Sequence, residues 1–138
     1  MDRKDFVKKI ASILDDKKAE NISALDVKGL TSLTDYFVIA SATSETHARA
    51  LADYVEEEIK KQTGERPHHV EGREYNRWLV LDYGDVIVHV MLPDVRDYYG
   101  IDWLWADAKK VPLEGKKESQ KGEKDNSETP SGEENKGE

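Results

Sequence analysis

The stretch Trp78–Trp105, which reads WLVLDYGDVIVHVMLPDVRDYYGIDWLW, contains the features that decide the fold of this chain. Two apolar runs flank a turn at Tyr83-Gly84, and this pattern predicts an antiparallel β-hairpin. Pairing across that turn places Trp78 opposite His89. A turn at Gly84-Asp85 is the alternative, and it leaves the same side chains together on each face of the hairpin.

Because side chains alternate along a strand, the predicted hairpin has two chemically different faces. One face is wholly aliphatic and is expected to pack on the core: Leu79, Leu81, Val86, Val88, Val90 and Leu92. The other face is mixed: Trp78, Val80, Asp82, Asp85, Ile87, His89 and Met91. We interpret the mixed face as the functional one.

Apolar residues at helical spacing predict two long helices upstream of the hairpin. The first begins near the amino terminus and ends near Glu20. The second begins at a candidate N-cap among Ser41, Thr43 and Ser44, and it stops before Gly64, a residue suited to the end of a helix.

Three strands are predicted outside the hairpin. Ile22–Val27 and Pro67–Glu71 are short candidates, whereas Tyr36–Ala40 is a continuous apolar run that indicates a central strand covered on both faces. After the hairpin, Pro93 opens a helical segment that Gly100 divides.

The last helical turn is expected to run from Trp103 to Lys109. The order α, β, β, α, β, β, β, α then predicts an α/β fold. We expect a single domain with a mixed β-sheet flanked by helices, and with a C-terminal antiparallel hairpin and short helix.

The composition divides the chain into a folded domain and a charged tail. From Gly115 onward there is no Ala, Val, Ile, Leu, Met, Phe, Trp, Tyr or Cys. Such a segment cannot bury enough apolar surface to offset the entropy that ordering removes. We therefore predict one domain over residues 1–113 and a disordered charged tail over residues 114–138.

The formal net charge of -8 opposes functions that depend on contacts with a phosphate backbone. Between Trp78 and Trp105 the single cation is Arg96, against five aspartates, so this segment lacks the basic groove that RNA or DNA requires. A basic protein surface is the expected partner. Acidity that only keeps a small domain in solution is the alternative explanation.

The absence of cysteine excludes disulfides, thiolate metal sites and cysteine nucleophiles. No apolar run approaches the roughly 18 residues that span a membrane, and no signal-peptide core follows the amino terminus. We expect a soluble, cytoplasmic protein without membrane contacts. No P-loop or GxGxxG pattern is present, and we assign no catalytic residue, cofactor or metal.

Two pairs of polar residues are candidate metal ligands. Asp82 and Asp85 flank the turn and could share a Mg²⁺ ion, but Asp and Gly are also common hairpin-turn residues, and we favour the turn. His68 and His69 are adjacent and point to opposite faces of a strand, so they form no ready pair of ligands. One is expected to pack and the other to be solvated.

The aromatic segment is the stronger functional signal, because Trp, Tyr, Arg and Met are enriched at protein interfaces. The candidates are Trp78, Met91, Arg96, Tyr98, Tyr99, Trp103 and Trp105. Roughly half should belong to the core, since Leu104 and Ala108 also compete for burial in a small domain. Trp105 is the first that we assign to the core.

Several motifs of this sequence resemble those of the Iojap-like ribosomal silencing factors. They agree in order and spacing from the first helix to about Val111. The matching segments are Leu25–Val27, Thr34–Ser41, Val70–Gly72, Trp78 with Asp82–Val86, His89-Val90, Arg96–Tyr99 and Leu104-Trp105. Ile101-Asp102, preceded by Gly100, departs from the usual Leu-Glu pair and keeps its apolar-then-acidic character.

The resemblance implies a fold similar to that of nucleotidyltransferases, without their catalytic signature. It also implies a factor that binds the large ribosomal subunit through its universal protein fourteen, blocks joining of the small subunit and represses translation when nutrients are short. The expected protein-binding residues are Trp78, Asp82, Asp85, His89, Met91, Arg96, Tyr98, Tyr99, Asp102 and Trp103.

Within this set the aromatic residues would supply buried anchor area. Asp82, Asp85 and Asp102 would face the cations of the partner. His89 would pack beside Trp78 and make binding mildly pH-dependent.

Alternatives remain open at this point. The chain could be a Mg²⁺-dependent nucleotidyltransferase-type enzyme that uses Asp82 and Asp85, or a homodimer that pairs through its aromatic face. Arg96 has an alternative of its own, a local ion pair with Asp94 or Asp97, which would contribute little to stability if it were exposed.

Overall fold

The computed structural model describes residues 2–113 of the chain. In chain order, the elements are α1 (Arg3–Asp16), β1 (Glu20–Asp26), β2 (Tyr36–Ser41), α2 (Glu45–Thr63), β3 (His69–Glu71), β4 (Trp78–Asp82), β5 (Val86–Met91), α3 (Pro93–Tyr99), α4 (Ile101–Leu104) and β6 (Lys109–Lys110). The predicted tail, residues 114–138, lies outside the described residues.

The strands form one mixed sheet in the order β3-β4-β5-β2-β1-β6. Its central strands β2 and β5 are parallel, with Tyr36 beside Val86, and the other neighbouring pairs are antiparallel. Every residue of β2 is buried, which confirms the prediction of a central strand covered on both faces. The predicted α/β domain with a mixed sheet and flanking helices is also confirmed.

The strands β4 and β5 pair in the register of the alternative turn. Trp78 lies opposite Met91, and His89 lies opposite Val80, so the predicted pairing of Trp78 with His89 is wrong. The turn residues are Gly84-Asp85, because the backbone N–H of Tyr83 donates to the carbonyl of Val86 at 2.8 Å. The shift of two residues preserves the side-chain alternation, so the strand residues of both predicted faces stay together, whereas Asp85 lies in the turn and pairs with Arg3 on the α1 side.

The helices α1 and α2 cover one face of the sheet. The aliphatic side chains of β4 and β5 pack there as predicted, and each of these is 0 % exposed: Leu79, Leu81, Val86, Val88 and Val90. Burial of one such side chain contributes about 1.5–3 kcal/mol. This layer, together with α1 and α2, forms the larger of the two hydrophobic clusters.

The opposite face of the sheet carries a smaller cluster beneath α3 and α4. Its buried members are Leu25, Val27, Phe37, Ile39, Ile87, Met91, Ile101 and Ala108. Trp78, Val80 and Trp105 are half-buried at its margin. The short helices therefore cover this face only in part.

The ends of the long helices follow from local chemistry. Of the three candidate caps, Ser44 is the one that accepts a hydrogen bond from the N–H of His47, and α2 ends at Gly64 with φ of 82°, as predicted. The helix α1 ends at Asp16 rather than near Glu20. Lys18 adopts a positive φ of 70°, and the chain turns there into β1.

The carboxyl-terminal part differs from the prediction in two ways. Gly100 divides the helical segment as expected, but α4 ends at Leu104 instead of running to Lys109. The lysines that follow form β6, an edge strand that was not predicted and that pairs with Leu25 and Asp26 of β1. Lysine on an edge strand discourages pairing with another sheet.

Candidate functional site

The partly covered face carries a continuous line of ring contacts. Tyr98 contacts Tyr99 with ring centroids 5.0 Å apart, and Tyr99 contacts Trp78 at 5.0 Å. The line continues inward from Trp78 to His89 at 6.0 Å, and from His89 to Phe37 at 5.1 Å. These contacts join the exposed surface of α3 to the buried centre of the sheet.

Exposure rises steeply toward one end of this line. Phe37 is 3 % exposed, whereas Tyr98 and Trp103 are each 82 % exposed. Tyr99 and Leu104, at 59 % and 64 %, are also open to solvent. We call the set formed by Trp78, Tyr98, Tyr99, Trp103 and Leu104 the aromatic surface. Large exposed apolar side chains concentrated on two adjacent short helices indicate a binding surface.

Trp78 and His89 are joined by a hydrogen bond. The indole N–H of Trp78 donates to Nδ1 of His89 at 3.0 Å, so the predicted packing of His89 beside Trp78 is observed. An indole can only donate, which places the proton of the neutral imidazole on Nε2. That nitrogen is buried and has no hydrogen-bond partner among the described residues.

The environment of His89 disfavours its charged form. Burial, followed by the positive charge of Arg96, lowers the pKa of His89 to about 4. The imidazole is therefore neutral near pH 7. The expected pH dependence of binding through His89 stays a prediction, and this pKa places it well below neutrality.

Besides His89, two of the expected contact residues are buried. Met91 is 0 % exposed beneath the partly covered face, so it supports the aromatic surface from below. Arg96 is 7 % exposed, and the alternative of a local ion pair with Asp94 or Asp97 is not the arrangement found. Its guanidinium instead binds the carboxylate of Asp102, with the shorter contact at 2.7 Å.

Each of the three expected partner-facing carboxylates already has an intramolecular contact. Asp82 accepts the N–H of Gly84 at 2.7 Å, as a turn residue does. Asp85 forms an ion pair with Arg3 at 2.8 Å, on the side of the sheet that carries α1. Asp102 binds Arg96. Each carboxylate thus has an internal partner, and its role toward a second protein stays a prediction.

The metal alternative finds little geometric support. Within residues 2–113, no group of three or more His, Asp or Glu side chains is placed to hold a metal ion. The turn interpretation accounts for Asp82, and the ion pair with Arg3 accounts for Asp85. In the same part of the chain, no helix is long and apolar enough to cross a membrane.

A concave region lies between α2 and β3, away from the aromatic surface. This open groove of about 620 Å³ contains His68 and His69, and both are exposed, so the expectation that one of them packs is wrong. Arg73 lines the groove and forms ion pairs with Asp53 and Glu56. Its charges are of both signs, and it contains no large exposed apolar side chain.

Sequence reasoning missed two contributors to the site. Phe37 contacts both His89 and Trp105, yet within a strand buried on both faces no alternation distinguishes it from its neighbours. Leu104 was expected to seek burial and is exposed instead, since Ile101 is the residue that α4 buries. Ala108 is buried and Trp105 half-buried, close to expectation.

Comparisons with known proteins agree on one family. The family model described as "Ribosomal silencing factor during starvation" matches residues 1–138. The ribosomal silencing factor RsfS of Bacillus subtilis is 40% identical over 117 residues, which cover 83% of this chain and 96% of that protein. The crystal structure of protein CV0518 from Chromobacterium violaceum matches with a TM-score of 0.69 at 40% identity, over 74% of this chain and 85% of that chain.

An organellar relative is also similar. The mouse protein named mitochondrial assembly of ribosomal large subunit protein 1 is 34% identical over 98 residues, which cover 70% of this chain and 43% of that longer protein. The family match along the whole length and identities of this size leave one conclusion: the chain belongs to the ribosomal silencing factor family.

Proposed function

We propose that this protein is a non-enzymatic translation repressor of the cytoplasm that binds the large ribosomal subunit through its protein fourteen and sterically blocks joining of the small subunit. The main support is the aromatic surface, where Tyr98 and Trp103 are each 82 % exposed and Trp78 is half-buried. The names of the relatives point to the ribosome, and the name of the mouse relative points to its large subunit.

The aromatic surface has the composition of a binding site for a protein. Trp and Tyr bring large contact areas with few rotatable bonds, and they dominate the energetics of interfaces. Tyr99 packs against Trp78, and Tyr98 against Tyr99, so these anchors are already ordered by ring contacts. Side chains that are ordered in advance lose less entropy on binding.

Complementary charge comes from exposed acids rather than from the carboxylates first expected. Asp94 and Asp97 lie on α3 beside Tyr98, and both are exposed. The contact of Asp94 with Arg77 is long, at 3.4 Å. These two acids and the net charge of -8 suit a basic ribosomal protein and would accelerate its association.

The proposed repression requires only that the protein stays bound to the large subunit, and it involves no catalysed reaction. A bound protein that covers the joining face excludes the small subunit for as long as it stays bound, so the residence time sets the degree of repression. Asp82 and Asp85 are used by the turn and by Arg3, which supports a binding function over catalysis. The nucleotidyltransferase-like topology stays part of the proposal, supported by the parallel pair β2 and β5 with α2 between them in the chain.

A subunit-joining experiment tests the proposal. The purified protein is mixed with separated ribosomal subunits and sedimented through a sucrose gradient. Comigration with large subunits and a reduced yield of joined ribosomes are expected. Tyr75→Ala removes an exposed aromatic residue outside the aromatic surface, and this control variant should behave as wild type. Normal joining with the protein left at the top of the gradient would refute the proposal.

Two further measurements separate the alternatives. Calorimetry with nucleotide and Mg²⁺ should give no heat, whereas an enzyme of the nucleotidyltransferase type would bind both. Light scattering reports any homodimer. If a dimer forms through the aromatic surface, it must compete with the large subunit, and adding large subunits should then dissociate it.

A further inference from the structure

Arg96 is a buried arginine where four elements meet. It lies on α3 and donates to both carboxylate oxygens of Asp102 on α4, at 2.7 and 2.8 Å. Its remaining nitrogen donates to the carbonyl of Asn21 in β1 at 2.8 Å and to Oγ of Ser41 at the end of β2 at 2.9 Å. A guanidinium holds its donors in a rigid plane, so these four bonds fix α4 relative to the sheet.

The helix α4 has few other attachments. It contains four residues and follows Gly100, whose φ is 60°. Ile101 is its buried residue, whereas Trp103 and Leu104 point into solvent. A helix of one turn is not stable by itself. The position of Trp103 and Leu104 therefore depends on Ile101, on the contact of Trp105 with Phe37, and on the pair formed by Arg96 and Asp102.

We propose that Arg96 is a positioning residue that makes no contact with the partner and holds α4 through Asp102, so that Trp103 and Leu104 are in binding geometry before the partner arrives. This role rests on the proposed function, because it concerns the same surface. The apparent Kd of a protein rises in inverse proportion to the fraction of molecules in the competent conformation. Loosening α4 should therefore weaken binding without removing any contact atom.

Asp102 distinguishes this role from a direct contact. If Asp102 faced the cations of the partner, neutralising it would remove one intermolecular charge pair, and the dependence of binding on salt would become weaker. If Asp102 serves Arg96, neutralising it removes no direct intermolecular charge pair, and its long-range effect equals that of losing another exposed carboxylate such as Asp107. The affinity then falls while the dependence on salt stays the same.

The binding test compares Asp102→Asn with Asp107→Asn, a matched loss of one exposed carboxylate just beyond α4. The Kd for large subunits is measured at several salt concentrations. For Asp102→Asn we expect a Kd about tenfold higher, with the salt dependence of wild type, if α4 is in place in about a tenth of the molecules. Asp107→Asn should match wild type, and Asp102→Glu, which keeps the carboxylate, should recover part of the loss.

The second measurement uses the free protein and needs no ribosome. The amides of Leu104 and Trp105 donate within α4 to the carbonyls of Gly100 and Ile101. Hydrogen exchange followed by NMR should be faster at these two amides in Asp102→Asn, while the amides of β2 and β5 exchange as in wild type. A global loss of stability would instead accelerate exchange throughout the sheet.

Two results would overturn the positioning role. One is unchanged exchange at Leu104 and Trp105 in Asp102→Asn, because α4 would then be held without Arg96. The other is a weaker salt dependence of binding, which would make Asp102 a direct contact. If wild-type protein fails to bind large subunits, the proposed function is wrong, and the exchange measurement still decides whether Arg96 fixes α4.

Discussion

The two faces of the sheet are built from the same strands and do different work. The face under α1 and α2 is closed by long helices over aliphatic side chains such as Leu81, which is 0 % exposed. The face under α3 and α4 is covered in part, and its aromatic side chains run from buried Phe37 to exposed Tyr98. The first face is closed around its core, whereas the second leaves large aromatic side chains exposed to solvent.

The largest expected effect separates the two faces by one pair of leucines. Leu81→Ala should lower the free energy of unfolding by about 2–5 kcal/mol, because it leaves a cavity in the closed layer. Leu104→Ala, at 64 % exposure, should change it by less than about 0.5 kcal/mol. Urea denaturation followed by circular dichroism measures both. Equal losses in the two variants would contradict the division between the faces.

Gly72 tests the loop that leads into Trp78. Its φ is 94°, and an added Cβ would lie 2.0 Å from the carbonyl oxygen of Trp78, which is backbone and cannot move aside cheaply. Gly72→Ala should therefore destabilise by about 3 kcal/mol. Gly29→Ala is the matched control, with φ of 86° and no atom within 4 Å of the added carbon. It should lose only about 1 kcal/mol from backbone strain.

If the larger loss in Gly72→Ala does not appear, the β3–β4 loop is able to move away from Trp78. Thermal unfolding of the two glycine variants in one buffer is sufficient, since only the difference between them matters.

Loss of an exposed anchor should affect binding and leave folding intact. Trp103→Ala is expected to weaken binding to large subunits by about 2 kcal/mol, with the stability of the free protein unchanged. Trp78→Ala should lose a similar amount of affinity but also some stability, since Trp78 is half-buried and bonded to His89. Fluorescence titration with large subunits measures the affinities. Full affinity in Trp103→Ala would remove α4 from the interface.

The smallest effect concerns acid stability. The pKa of His89 is about 4 in the folded state against 6.5 for an ordinary histidine, so the unfolded state binds more protons between these values. Stability should fall as the pH decreases through this window, by about 2 kcal/mol between pH 7 and pH 5. His89→Gln should remove this part of the dependence. Carboxylates contribute equally to both proteins, so the difference between the two denaturation series isolates His89.

Local patterns were sufficient to predict much of this fold. Ser44 and Gly64 mark the ends of α2 because capping depends on residues a few positions apart. The strand residues of the aliphatic and mixed faces were predicted correctly although the turn was placed one residue too early, because a shift of two residues in the pairing leaves the alternation unchanged. The strand β6 was missed, since two lysines carry no apolar pattern and pair only because β1 lies beside them.

The candidate site was predictable in composition but not in the role of each residue. Arg96 bonds to Asn21 and Ser41, which lie 75 and 55 residues away in the sequence, and no local pattern reports such contacts. The burial of Met91 depends on where α3 and α4 pack, which alternation alone does not specify. The excess of acidic residues in this segment is evident from the sequence, but the intramolecular partners of those residues are seen only in the structure.

The parallel pairing of β2 with β5 also has a consequence for the order of events during folding. Tyr36 and Val86 are roughly fifty residues apart in the chain, so the centre of the sheet closes late and the protein should fold slowly for its size. The helices α3 and α4 follow β5 in the sequence and rest on the sheet it completes. A growing polypeptide therefore cannot assemble its aromatic surface until β5 and the two helices that follow it have been synthesised.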